Sequence, residues 1–115
     1  LRNKFLNTGI YVREHVCSAH KKTRELLTIL ENYNYYKKHN RQIIYITVAG
    51  RSNALSGVVA CNTQFPVIAC PPFQDKSDMT VNINSTLQMP SSVAVMTILE
   101  PGNVALCCQR IFGLV

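Results

Sequence analysis

The stretch IIYITVAGRSNALSG, residues 43–57, decides the fold. Its first six residues are nearly all apolar and rich in β-branched side chains, the composition of a strand covered on both faces, as strands are in a parallel sheet between helices. A polar turn held between Gly50 and Gly57 follows at once, and residues 53–60 predict a short helix. Working outward, PVIAC (66–70), VAVMTIL (93–99) and YVREHV (11–16) read as further strands. Helical patterns alternate with them. Leu26, Leu27, Leu30 and Tyr33 fall on one stripe after Thr23, a good N-cap, while Arg24, Glu25, Glu31 and Asn32 point elsewhere. Residues 79–88 predict another helix, and residues 101–112 open with Pro101 at a favoured first-turn position. Strand and helix in this alternation predict a three-layer α/β/α sandwich with a mainly parallel sheet, Rossmann-like or flavodoxin-like.

With 115 residues, 47% of them hydrophobic, the chain suffices for one core and is short for two, so a single domain over 1–115 is expected. Its opening, LRNKFLNTGI, reads as the back half of an amphipathic helix ending at Gly9, so the chain is expected to be a fragment truncated at its amino end. Twelve basic against six acidic residues give a formal +6, which suits an anionic partner such as a phosphorylated metabolite, nucleic acid or acidic lipid. Lys21, Lys22 and Arg24 form one basic cluster; Lys37, Lys38 and Arg41 form a second, which reads as a solvated helix end. Neither is long or interleaved with aromatics as a nucleic-acid groove is, so no nucleic-acid partner is expected. The apolar runs fall far short of a membrane span, and no signal peptide opens the chain. Five cysteines, with Cys107 and Cys108 adjacent inside a predicted helix, argue against a disulfide framework. Cys17, Cys61, Cys70, Cys107 and Cys108 sit among apolar or small residues and read as buried, reduced thiols of a cytoplasmic protein.

In an open α/β sheet, ligands sit beyond the carboxyl ends of the strands. That rule selects loops 17–23, 49–57 and 70–78 and the region near Glu100. In the second of these, Gly50 lets backbone amides approach closely, Arg51 suits phosphate or carboxylate, and Ser52 and Asn53 add a hydroxyl and an amide. These are anion-holding parts. The plainer reading of the same turn is a helix start capped by Ser52 or Asn53. A P-loop is excluded by its missing glycine spacing and terminal Lys-Ser/Thr, and no GxGxxG run occurs. His20 is the one histidine in a ligand-side loop, since His15 falls in a predicted strand and His39 in a polar stretch beside Lys37 and Lys38. The acids Glu14, Glu25, Glu31, Asp75, Asp78 and Glu100 assemble neither a Ser-His-Asp arrangement nor a carboxylate pair, and the histidines lack metal-ligand spacing.

Taken in order, Ser18-Ala19-His20-Lys21, Val48-Ala49-Gly50-Arg51-Ser52-Asn53, Asn62-Thr63, Pro66-Val67-Ile68 and Cys70-Pro71-Pro72 resemble the phosphoribosylaminoimidazole carboxylase (AIR carboxylase) family. The run QRIFGL, 109–114, resembles that family's late helix, and the likeness covers essentially all 115 residues. Lys21 after Ser-Ala-His and the Gly-Arg-Ser-Asn loop are similar to the animal-type class, whereas Gln88-Met89-Pro90 looks more like the bacterial mutase class. The family's first strand and phosphate loop would precede Leu1.

The resemblance implies a lyase of de novo purine biosynthesis. It would carboxylate 5-aminoimidazole ribonucleotide with carbon dioxide, giving carboxyaminoimidazole ribonucleotide without ATP, biotin or metal. The alternatives are a mutase acting on a preformed carbamate of that nucleotide and a non-catalytic nucleotide-binding fragment. His20 and Lys21 are implied as catalytic, His20 carrying the ring proton, with Ser18, Ala19, Ala49, Gly50, Arg51, Ser52 and Asn53 binding substrate. A homo-octamer, and a SAICAR synthetase domain in the parent chain, are implied as partners.

Overall fold

The two most apolar runs pair to make the centre of the sheet. In the computed structural model, which describes residues 1–115 except for the side chains of residues 37 and 38, β1 (Tyr45–Thr47), β2 (Val67–Ala69) and β3 (Met96–Thr97) lie parallel in the order β1-β2-β3. The lysine half of the second basic cluster, Lys37 and Lys38, therefore lies outside the described side chains. Tyr45 stands opposite Val67, and Ile68 opposite Met96. Every residue of β2 is buried, as its uninterrupted apolar sequence requires of a central strand.

Alternation along β2 divides the interior into two cores. Val67 joins Ala19, Leu26, Leu30 and Val59 on one face, while Ile68 and Cys70 join Phe5, Val104, Ala105 and Cys108 on the other. Helices α1 (Thr23–Asn34) and α2 (Leu55–Cys61) cover the first face; α4 (Pro101–Phe112) and a 3₁₀ turn at Arg2–Phe5 cover the second. This is the three-layer sandwich expected from the alternation of patterns. Ile68 and Val104 have no exposed surface, and each contributes about 1.5–3 kcal/mol by leaving water. The remaining helix, α3 (Lys76–Leu87), differs in kind, because its two buried residues, Asn82 and Thr86, are polar.

Helix ends follow local chemistry. The Glu100 carboxylate accepts from the N–H groups of Gly102 and Asn103 at 2.9 and 2.8 Å, ahead of Pro101 at the first turn. Those two bonds hold the Glu100 carboxyl below its ordinary value of 4.5. The other end of α4 closes on Gly113 at φ 71, with the Leu114 N–H donating to the Gln109 carbonyl at 2.8 Å. Helix α3 starts earlier than residue 79 because the Asp75 side chain accepts from the Asp78 N–H at 2.8 Å. Thr23 is not an N-cap. It is the first residue of α1, and its hydroxyl donates to the Ala19 carbonyl at 2.6 Å.

Three other expectations are corrected. Residues 11–16 form no strand: a strand exists only through a ladder, and this segment has no ladder partner among the described residues. Ile10 and Val12 instead turn onto the Phe5 core, Tyr11 and Val16 face solvent, and His15 bonds the Tyr33 hydroxyl at 2.7 Å. The opening ten residues form a single 3₁₀ turn anchored by buried Phe5, not a helix half, since Asn7 at φ 61 and Gly9 at φ 82 turn the chain away. All five cysteines are free, yet Cys70 and Cys108 alone are buried, with Cys17 and Cys107 intermediate and Cys61 exposed. Cys61 ends α2, whose buried face is made by Ser56 and Val59.

Candidate functional site

A knot of polar side chains fixes which way the helices point. The Asn34 amide at the end of α1 donates to the Asn62 carbonyl just beyond α2 at 2.6 Å. Its oxygen accepts from the hydroxyls of Tyr45, which begins β1, and Thr63, which precedes β2, at 3.1 and 2.7 Å. The ends of α1 and α2 thus meet the amino ends of the strands. Both helices must therefore begin at the carboxyl rim, and Ala19 shares a core cluster there with Ala54 and Leu55. The structure accordingly brings the turn bearing Ser18, Ala19, His20 and Lys21 to the same rim as the turn bearing Ala49, Gly50, Arg51, Ser52 and Asn53.

The first turn is built from its own atoms. The Ser18 hydroxyl accepts from the Lys21 N–H at 3.1 Å, the Ser18 carbonyl accepts from the Lys22 N–H at 2.9 Å, and the Cys17 thiol donates to the Lys22 carbonyl at 3.6 Å. Ala19 is buried in the core beneath, where a larger side chain would displace Leu26 or Leu30. The side chains of His20 and Lys21 are exposed, and neither bonds another described residue. Both imidazole nitrogens remain available.

The second turn is tied down from outside. Arg51 Nη2 donates to Asp78 Oδ1 at 2.8 Å. The Asn53 N–H donates to Ser85 Oγ at 2.7 Å, its side-chain amide donates to Thr86 Oγ1 at 3.0 Å, and its amide oxygen accepts from the Ser56 N–H at 3.1 Å. Asn53 therefore serves the start of α2, as the plainer reading of this turn required, and its buried side chain has both ends committed. Gly50 sits over Asn82: a methyl group at Gly50 would lie 3.5 Å from that side-chain amide. Asn82 in turn donates to the Pro72 carbonyl, while its Oδ1 is buried without a partner. Beneath the turn, the hydroxyls of Thr47 and Ser56 bond each other at 2.7 Å.

Electrostatics at the rim centre on Asp78. Its carboxyl is held below the ordinary 3.8, first by the hydrogen bond from Arg51 and then by the N–H of Gln74 at 3.1 Å. Lys21 adds an exposed cation there without a carboxylate partner among the described residues, whereas Arg51 is paired with Asp78. The site is an open rim; a shallow cavity of about 560 Å³, lined by Thr63, Phe65, Pro66, Ser92 and Met96, lies at the opposite, amino end of the sheet. No group of three metal-ligating side chains occurs among the described residues. The sequence pointed to Asp78 only as an acid of loop 70–78, and to Asn82, Ser85 and Thr86 not at all, although these four hold the second turn. The available signal was their spacing, which places polar residues on one helical face behind an Asp75 cap.

The chain is of the parallel α/β sandwich class, with an imidazole turn and a guanidinium turn on the carboxyl rim of its sheet, the rim at which open α/β domains place their ligands. Comparison with known proteins narrows that class: the AIR carboxylase family profile matches residues 2–115, and the chain belongs to this family. A phosphoribosylaminoimidazole carboxylase of Archaeoglobus fulgidus is 42% identical over 99% of the chain and 60% of its own length. One of Treponema denticola is also 42% identical, over 92% of the chain and 64% of its own length. The chain thus spans about three fifths of the length of these two relatives. A Drosophila melanogaster protein named bifunctional phosphoribosylaminoimidazole carboxylase/phosphoribosylaminoimidazole succinocarboxamide synthetase is 42% identical over 92% of the chain and 24% of its own length. A crystal structure of Treponema denticola PurE superposes with a TM-score of 0.86 at 38% identity, over 98% of this chain and 69% of that one.

Proposed function

We propose that this domain carboxylates 5-aminoimidazole ribonucleotide with carbon dioxide, in de novo purine biosynthesis. The observation that carries the reading is the placement of the His20 turn and the Arg51 turn on one rim, in a chain of the AIR carboxylase family. The electron-rich ring carbon attacks carbon dioxide and forms the new carbon-carbon bond, and an electron pair moves onto oxygen to give the carboxylate. The adduct still carries the ring proton on that carbon. His20 takes that proton, and the electron pair released restores the aromatic ring. An unencumbered imidazole suits this task, because it can take up and return a proton without first breaking a bond to protein.

The other residues divide by what they still have free. Lys21 and Arg51 counter the phosphate or the nascent carboxylate, and the exposed Ser52 hydroxyl donates to the same anions. Ser18 holds its hydroxyl beside the Lys21 N–H and donates its remaining proton to ligand. Ala49 and Gly50 leave room for carbon dioxide at the rim, while Ala19, buried in the core, supports the His20 turn from below. Asn53 acts one step back, by fixing the turn. The open rim is completed by a phosphate loop from residues ahead of Leu1 and by neighbouring subunits of a homo-octamer in the cytoplasm. A SAICAR synthetase domain in the parent chain fits the bifunctional animal relatives.

The test is formation of carboxyaminoimidazole ribonucleotide from the ribonucleotide and dissolved carbon dioxide, by this chain and by one extended at its amino end. Turnover in either supports the reading. Turnover in neither overturns it, and turnover only with a preformed carbamate assigns the mutase reaction instead.

A further inference from the structure

Apart from the Ala54 N–H to Ser52 carbonyl bond and that from the Ser56 N–H to Asn53, the hydrogen bonds that residues 50–53 make go to α3: Arg51 to Asp78, and Asn53 to Ser85 and Thr86, with Gly50 seated on Asn82. Positions 78, 82, 85 and 86 share one face of a helix. A helix packed on a core normally turns an apolar stripe inward, whereas α3 buries Asn82 and Thr86. Its inward face is a hydrogen-bonding surface for the turn. Asp78 is the most constrained member. One carboxylate oxygen takes Arg51, the other takes the Gln74 N–H at 3.1 Å, and the Asp78 N–H is bonded to Asp75. Arg51 gives that carboxylate a single terminal nitrogen, and its other N–H groups bond no described residue. The arginine side chain is 62% exposed against 26% for the aspartate, so a fixed, half-buried carboxylate holds a solvent-facing cation whose spare donors are open to an anion.

We infer that Asp78 is the positioning residue for Arg51, setting the guanidinium in advance for the anionic part of the substrate; the inference rests on the carboxylase reading above. A free arginine side chain loses rotamer entropy when it captures a ligand, and one already held in place loses less. Asp78 touches no substrate in this scheme. Its effect reaches the ligand only through Arg51.

The experiment is steady-state kinetics on the active form of the chain with Asp78→Asn, Arg51→Ala and the double variant. Asp78→Asn raises KM for the ribonucleotide roughly fivefold while kcat stays within about twofold. Arg51→Ala raises KM about tenfold, and adding Asp78→Asn to it changes KM no further. A purely structural role for Asp78 would raise KM in both backgrounds, and that result overturns the inference, as does an unchanged KM in Asp78→Asn. Should Asp78→Asn fail to fold, Asp78→Glu decides, because it keeps the charge and moves it by one methylene: KM rises about twofold if position matters and stays at the wild-type value if it does not. A wild-type chain with no carboxylase activity in any form fails at the earlier step, and sinks the reading along with this inference.

Discussion

Between Cys17 and Lys22 the chain bonds only to itself and to the first turn of α1, whereas between Gly50 and Asn53 it bonds to a helix that follows the next strand. Both turns enter helices at one rim, yet they are prepared differently. The first leaves His20 without a protein partner and keeps Ala19 buried beneath it; the second fixes its arginine and spends its asparagine on structure. A proton carrier must exchange its partner during turnover, so a bond to protein would have to be broken each time. An anion holder gains from being set beforehand. The difference between the turns matches the difference between those tasks.

The sharpest way to break this comparison is His20→Asn. It should lower kcat by about a hundredfold or more with the thermal midpoint nearly unchanged, because an exposed ring with no bonds holds up nothing; steady-state rates and a melting curve check it. Next in size, Asn53→Ala should destabilise the fold by about 2–3 kcal/mol in calorimetry, since it strands the Ser56 N–H and takes from Thr86 Oγ1 the donor it accepts from, leaving that hydroxyl only its own bond to the Asn82 carbonyl. Ser18→Ala should cost no more than about 1 kcal/mol, because the bond it removes is local and exposed. Equal costs for the two would erase the distinction between a self-made turn and a tethered one.

Acid should separate the turns as well. Asp78 has a folded pKa below its ordinary value of 3.8, so the stabilisation it gives is complete above the unfolded value and disappears as pH falls through the folded one. Relative to the intrinsic rate at the same pH, amide exchange at Asn53, in the turn that Arg51 ties to Asp78, should therefore quicken below about pH 4, while exchange at Lys21, whose bond to Ser18 involves no carboxylate, should show no such step. The smallest effect concerns thiols. Cys17, half-buried in the first turn, should react with a maleimide in the native protein. Cys108, whose thiol is pushed up to about 11 by burial and then by Cys107, should react only on unfolding.

The central architecture was legible in the sequence because β2 and α4 announce themselves. An unbroken apolar run becomes a strand buried on both faces, and Pro101 marks the start of a helix whose bounds, 101–112, came out as expected. Residues 11–16 have the alternation of a strand but no ladder, and no local pattern encodes whether a partner is present. Within the site, the two turns could be singled out because small residues, an imidazole and a guanidinium at helix starts carry recognisable chemistry. What holds the second turn was hidden, because the contacts join residues 51 and 53 to 78, 85 and 86, and a polar helical face reads as solvent-exposed until something is found against it.

The polar underside of α3 has a further consequence for how the molecule breathes. Lifting this helix away would expose hydroxyls and amides and little hydrocarbon, so such an opening should have a shallow dependence on urea, unlike the release of α4, which would bare its own Val104 and Cys108 and uncover Phe5 and Ile68. The protein would then loosen at the carboxyl rim of its sheet through fluctuations that denaturant scarcely amplifies, while the sheet and α4 stay closed until the whole chain gives way.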